Sequence, residues 1–141
     1  MASPVYGKQF IRFAETGLVP DAVALDQFTL VVVNAGVPTE PPTLAAATGA
    51  GEVMGVLQQD VVVVDTDKAT TLQRLGTVAT SGLLLVAADV ANLQAQNDAL
   101  LVDANGKSSS AGGAVTCNAS TPIVRQVVNI GGVAMVLVSF N

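Results

Sequence analysis

Apolar positions in this chain fall in short runs, not in long helical stripes. Val, Leu and Ile cluster at 27–33, 52–57, 61–65, 71–79, 83–86, 99–102, 115–118, 123–130 and 133–140, each about the length of a strand. Turn-forming residues separate them: Asn34-Ala35-Gly36, Asp65-Thr66-Asp67-Lys68, Thr80-Ser81-Gly82, Asp103-Ala104-Asn105-Gly106 and Gly131-Gly132. Asn105-Gly106 is the clearest hairpin signal, because both residues tolerate the positive φ of a tight turn. The cadence predicts a mainly β fold, an antiparallel β-sandwich or small β-barrel of about eight or nine short strands. The connections are too short for repeated βαβ crossovers. Four consecutive valines at 61–64 point to a strand buried on both faces. Within the strand at 71–79, Gly76 suggests a bulge. The small residues at 43–51 predict a loop or one helical turn, and the Ser- and Gly-rich stretch 108–113 predicts a flexible tip.

Residues 1–26 read differently from the β-rich domain at 27–141. This segment holds the only Tyr and two of the four Phe of the chain. Tyr6, Phe10, Phe13 and Ala14 are spaced as one helical face, with Ser3-Pro4 suited to an N-cap and first helical position. Gly7 opposes a helix by about 1 kcal/mol. An extended arm through Gln9–Phe13 fits the same residues, so both a short helix and an arm stay open. The aromatics either fill the core of the domain or anchor the segment to another protein subunit.

Only 12% of residues are charged, against roughly 25% in a typical soluble domain. Such a surface is suited to being covered by protein. Valine occurs 24 times, a strand-forming palette, and few lysines are present to blunt sheet edges. The net charge is −5, and three Lys and three Arg are scattered along the chain. No clustered basic footprint for nucleic acid exists. Cys117 is the only cysteine, so an intrachain disulfide is impossible; the residue reads as a small, half-buried strand residue. The Met-Ala-Ser-Pro start lacks a signal-peptide pattern, and no run of about 18 apolar residues predicts a membrane span. Synthesis in a cytoplasm is the expectation.

Candidate chemistry changes the picture by its scarcity. The chain has no His, which removes the commonest general base and metal ligand. A single Cys excludes a cysteine-rich zinc site. Most carboxylates sit beside Asn, Gly, Thr or Lys, where Asp forms turns. Asp65-x-Asp67 and Asp103-x-Asn105-Gly106 each lack the remaining ligands of a calcium loop. Gly49-Ala50-Gly51-Glu52-Val53-Met54-Gly55 spaces its glycines wrongly for a dinucleotide loop. Asn118-Ala119-Ser120 matches a glycosylation acceptor without a secretory context. The expectation is a protein that is not an enzyme and takes no cofactor or metal.

A family resemblance rests on residues 51–138. Gly51-Glu-Val-Met-Gly-Val-Leu57 is followed by Leu75-Gly-Thr-Val-Ala79, by Gln94-Ala-Gln-Asn-Asp98 and by Ala99-Leu-Leu-Val-Asp-Ala-Asn-Gly-Lys107. A late Ile130-Gly-Gly-Val-Ala-Met-Val-Leu-Val138 completes the series. This resembles the tailed-bacteriophage capsid decoration (cement) proteins, although Gln96-Asn97-Asp98 stands where that family has Gly-Asp. The resemblance implies a β-rich protein on the outer surface of the assembled virion head, bound to the major capsid protein as a homotrimer and free of nucleic acid and membrane. Tyr6, Phe10, Ile11, Arg12 and Phe13 are then the expected capsid or inter-subunit contacts. Another virion subunit, of tail, fibre or surface layer, is the alternative, followed by a small-ligand-binding β-barrel.

Overall fold

The computed structural model describes residues 9–19, 23–33, 42–61 and 74–141. Ten strands occur among them: β1 (Phe10–Val19), β2 (Leu30–Val33), β3 (Leu44–Ala46), β4 (Gly51–Glu52), β5 (Gly55–Leu57), β6 (Arg74–Ala87), β7 (Leu101–Val102), β8 (Gly113–Thr116), β9 (Ile123–Ile130) and β10 (Val133–Phe140). The fold is a β-sandwich, as the strand cadence predicts. Its main sheet runs β3-β2-β5-β6-β10-β9, with β1 also paired to β6. A small sheet, β4-β8-β7, packs against it.

Strand β6 is the spine. Val78 and Ala79 pair with Glu15 and Ala14 of β1 and also with Leu57 and Val56 of β5. Further along, Gly82 and Leu83 pair with Ile11 and Phe10 of β1 and also with Phe140 and Ser139 of β10. A strand has two edges, so β1 lines one of them while β5 and β10 share the other in succession. The expected turn at Thr80-Ser81-Gly82 is therefore absent, and β6 passes straight through it. Gly82 is required there for another reason. Its φ is +126°, and a Cβ would overlap the Phe10 carbonyl oxygen. Gly76 pairs regularly with Gly17 and makes no bulge; a Cβ at Gly76 would press on Leu57 Cδ1 at 2.7 Å.

Alternation along the strands divides the core between the two faces of the main sheet. Leu30, Val56, Ala79, Leu84, Val86, Val136, Val138 and Phe140 face Val53, Leu100, Val102, Val115 and Cys117 on the small-sheet side. Their neighbours Val31, Leu57 and Val78 point the other way, onto Val19, Leu25, Leu44 and Val61. Leu85, Val128 and Leu137 form a third cluster on that second face. Each fully buried Val or Leu contributes roughly 1.5–3 kcal/mol, so this two-faced burial is the main source of stability.

Several local expectations are corrected. Residues 10–19 are a strand, so an N-terminal helix is not formed there; Ser3, Pro4, Tyr6 and Gly7 lie outside the described residues. Residues 44–46 form β3 against β2, not a helical turn. The run 52–57 is split between sheets: β4 pairs in parallel with β8, whereas β5 joins β2 and β6. The chain crosses between them at Val53 and Met54, whose amides donate to Thr116 O and Val31 O, both at 2.8 Å. Val61 bridges to Leu25, and the remaining three valines of its run lie outside the described residues. The hairpin turns follow the sequence. Asp103 Oδ1 accepts the amides of Asn105 at 2.8 Å and Lys107 at 3.0 Å, with Gly106 at φ +74°. Gly131 and Gly132 both have positive φ between β9 and β10. Asn118-Ala119 is a third such turn, with φ of 53° and 62°, and Asn118 Nδ2 donates to Thr80 O and to Asn141 O.

The expected flexible tip at 108–113 is instead tied into the interior. Ser108 and Ser109 are both buried. Gln94, also buried, organises the region: Nε2 donates to Ala99 O at 2.7 Å, and Oε1 accepts from the Leu101 amide at 2.9 Å and from Ser108 Oγ at 2.8 Å. Ser109 Oγ donates to Asp89 Oδ2 at 3.2 Å. Replacing Gln94 by Leu strands three polar partners, the Ala99 carbonyl, the Leu101 amide and the buried Ser108 hydroxyl. Gln94→Leu is expected to lower stability by about 2–4 kcal/mol, read as a lower urea midpoint with an unchanged slope.

Candidate interaction surface

Strand β1 changes character along its length. Residues 10–16 are exposed, and burial begins at Gly17 and Val19. Its C-terminal end is held by other chain segments: Leu18 donates to Pro42 O at 2.8 Å and bridges Thr43. Among the described residues, only β6 pairs with residues 10–16. The side chains opposite are small. Ile11 faces Gly82, Phe13 faces Ser81 and Ala14 faces Ala79, so no cross-strand side chain covers them. Phe10 stands beside the half-buried Leu83. The result is 66% exposure for Phe10, 63% for Phe13 and 43% for Ile11. Each ring left in water forgoes roughly 1.5–3 kcal/mol of burial, and grouped exposure of this kind makes the segment a candidate contact surface.

Four of the five sequence-predicted contact residues, Phe10, Ile11, Arg12 and Phe13, are thus brought together on one strand segment. Tyr6 lies outside the described residues. The segment is held against β6 by a regular ladder interrupted at two points, one at Arg12 and one at Thr80. Thr80 Oγ1 donates to the Phe13 carbonyl at 3.4 Å, and Gln9 Oε1 accepts the Leu85 amide at 2.9 Å.

Beside the segment lie two open grooves that share Glu15, Thr80 and Asn118. One, of about 390 Å³, is walled by Val33, Glu52 and Met54; the other, of about 430 Å³, by Arg12, Phe13 and Asn141. Neither encloses a converging set of reactive groups. Among the described residues no three His, Cys, Asp or Glu side chains gather as a metal site. Several acidic side chains hold backbone amides instead. Asp60 accepts the Gln27 amide, Asp98 the Ala95 amide and Asp103 the two amides of its own turn. Asp89 is held below the usual carboxylate range by Asn92, the Ala91 amide, Ser109 and Lys107, against a smaller opposing effect of burial.

Cys117 is buried, and its Sγ lies 3.5 Å from Met54 O and 3.7 Å from Thr80 O. Burial, and then the nearby Glu52 charge, push its thiol up to about 11 from 9.0. The exposure of β1 was not readable from its own sequence, because it depends on what β6 places opposite. Gly82 was the available signal, although its spacing suggested a turn. Comparison of the chain with protein-family models, with curated proteins and with solved structures finds no match.

Three outcomes follow from this geometry. The Cys117 thiol stays protonated in the fold at pH 8, so iodoacetamide should label it at least tenfold more slowly than in urea-unfolded chain. Because the folded thiol titrates higher than the unfolded one, its contribution is fully present below about pH 9 and stability declines as pH rises toward about 11; the Cys117→Ser variant should show a shallower decline in urea titrations across that window. Gly82→Ala should break the β1–β6 joint, raising amide exchange of residues 10–13 by at least tenfold while β9 and β10 exchange as before.

Proposed function

We propose that this chain is a capsid decoration (cement) protein of a tailed bacteriophage. On this reading it is made in the host cytoplasm, binds the outer surface of the assembled head as a homotrimer, and reinforces the shell through contacts with the major capsid protein. The observation that carries the reading is the Phe10–Phe13 segment, an apolar surface mounted on a strand of the main sheet. A rigid mount matters because fewer degrees of freedom are lost on docking. The charge-poor composition and the strand cadence of residues 51–138 support the same reading. Stabilisation would follow from mass action: a protein that binds only the assembled shell shifts the equilibrium toward it. Many copies, each making modest contacts, multiply that effect. Binding of this kind uses no cofactor, nucleic acid or membrane.

The test is occupancy on expanded heads of the phage that encodes the chain. Phe10 and Phe13 are exposed, so the F10S/F13S variant should keep the wild-type melting temperature. Its affinity for heads should fall roughly 10- to 100-fold, as loss of two aromatic anchors implies. Unchanged occupancy in a pelleting assay would remove β1 from the contact. Binding to tails or fibres but not to heads would place the chain in another virion component. Light scattering after size exclusion checks the trimer, with a mass near three times 14.2 kDa expected.

A further inference from the structure

The main sheet has two long edges that carry no strand partner among the described residues. One is β1 over residues 10–17, before Leu18 bonds to Pro42. The other is β9 from Arg125 onward. Before that point β9 is covered, since the Asn97 amide donates to Val124 O, Val124 donates to Asp98 O, and Ala99 bridges Ile123. These edges bound the same four strands, in the order β1-β6-β10-β9, each antiparallel to the next. β1 and β9 therefore run in opposite directions on opposite sides. A neighbouring copy's β9 laid beside β1 would continue the antiparallel alternation without conflict, and so would the next copy. Such a head-to-tail contact has no built-in end and makes rings or fibres.

Each edge carries one interruption of its own strand, and the residue at both interruptions is arginine. Arg12 has no partner between the pairs Ile11↔Gly82 and Phe13↔Ser81. Arg125 has none between Val124↔Val138 and Gln126↔Leu137. Both are exposed. The chain contains only three arginines, and the third, Arg74, sits in register opposite Val19. A bulge bends the edge away from a straight partner, and a strand joint would take both guanidinium groups out of water with only the Glu15 carboxylate on either strand to set against them. We propose that Arg12 and Arg125 are edge guards, which keep a second copy of this chain from adding its β9 to β1 and so keep the aromatic segment free for its own contact. Nothing in this depends on the identity of the partner that segment meets.

The test compares R12T/R125T, R12K/R125K and the two single Thr variants with the unaltered chain by sedimentation over a wide concentration range. The unaltered chain should keep one mass throughout. In R12T/R125T the weight-average mass should at least double as concentration rises, with growth into long species, while the lysine pair stays at the original mass. Every head-to-tail junction of a single variant pairs one freed edge with one guarded edge, so its mass should rise only at higher concentration than that of the threonine pair. Removing residues 12 and 125 altogether flips no neighbouring side chain, because both are already extra to the ladder, and this double deletion should assemble more strongly still. If that deletion fails to fold by circular dichroism, the threonine pair decides. An R12T/R125T protein of unaltered mass at every concentration overturns the proposal. So does a lysine pair that assembles as readily as the threonine pair, and single variants that stop at dimers, each freed edge meeting its own kind, would overturn the head-to-tail geometry.

Discussion

Everything in this fold leans on the pairing of β6 along both edges. A fourteen-residue strand presents more backbone donors and acceptors than one neighbour satisfies, and each one left buried and unpaired would cost about 1–3 kcal/mol. Here β1 satisfies one edge, and β5 and β10 divide the other. That division also explains the two-faced core. Because β5 and β10 join the same strand at different heights, the second face of the sheet carries two separate apolar clusters, one around Leu57 and Val78 and one around Leu85 and Leu137. A single regular sheet would have carried one.

The exposed segment of β1 is a by-product of the same arrangement. Holding β1 close against β6 at Gly82 demands the absence of a Cβ there, and Ser81 and Ala79 continue the run of small residues. Small cross-strand neighbours leave Ile11 and Phe13 uncovered. Tight backbone approach and aromatic exposure thus have one cause. The grooves that flank the segment are open and shared between polar and apolar walls, suited to surface contact more than to enclosing a small molecule.

A second constraint works at the other end of the sandwich. Loops 88–98 and 103–113 carry many hydroxyls, amides and carboxylates but little apolar bulk. Gln94 gathers Ala99, Leu101 and Ser108 around one buried amide, and Asp89 gathers Ala91, Asn92 and Ser109 around one carboxylate. Hydrogen bonds replace packing as the source of order there. They also fix the start of β7 and the loop that leads into β8.

The sequence by itself determined the β class, the two terminal strands with their Gly131-Gly132 turn and the Asp103–Gly106 turn. These are local matters: period-two alternation, positive-φ tolerance and side-chain capping act within a few residues. It also drew attention to residues 10–13 as a group, because grouped aromatics near a terminus stand out against a valine-rich background; that this group is exposed on one strand came from the structure. Tertiary structure alone decided the rest. Whether Thr80-Ser81-Gly82 turned or ran on depended on β1 and β10 flanking it, and whether 108–113 hung free depended on Gln94, fourteen residues before Ser108. Arg12 and Arg125 acquired a shared meaning only when the sheet order placed them on opposite edges. Such properties belong to pairs of distant segments, so no window of sequence contains them.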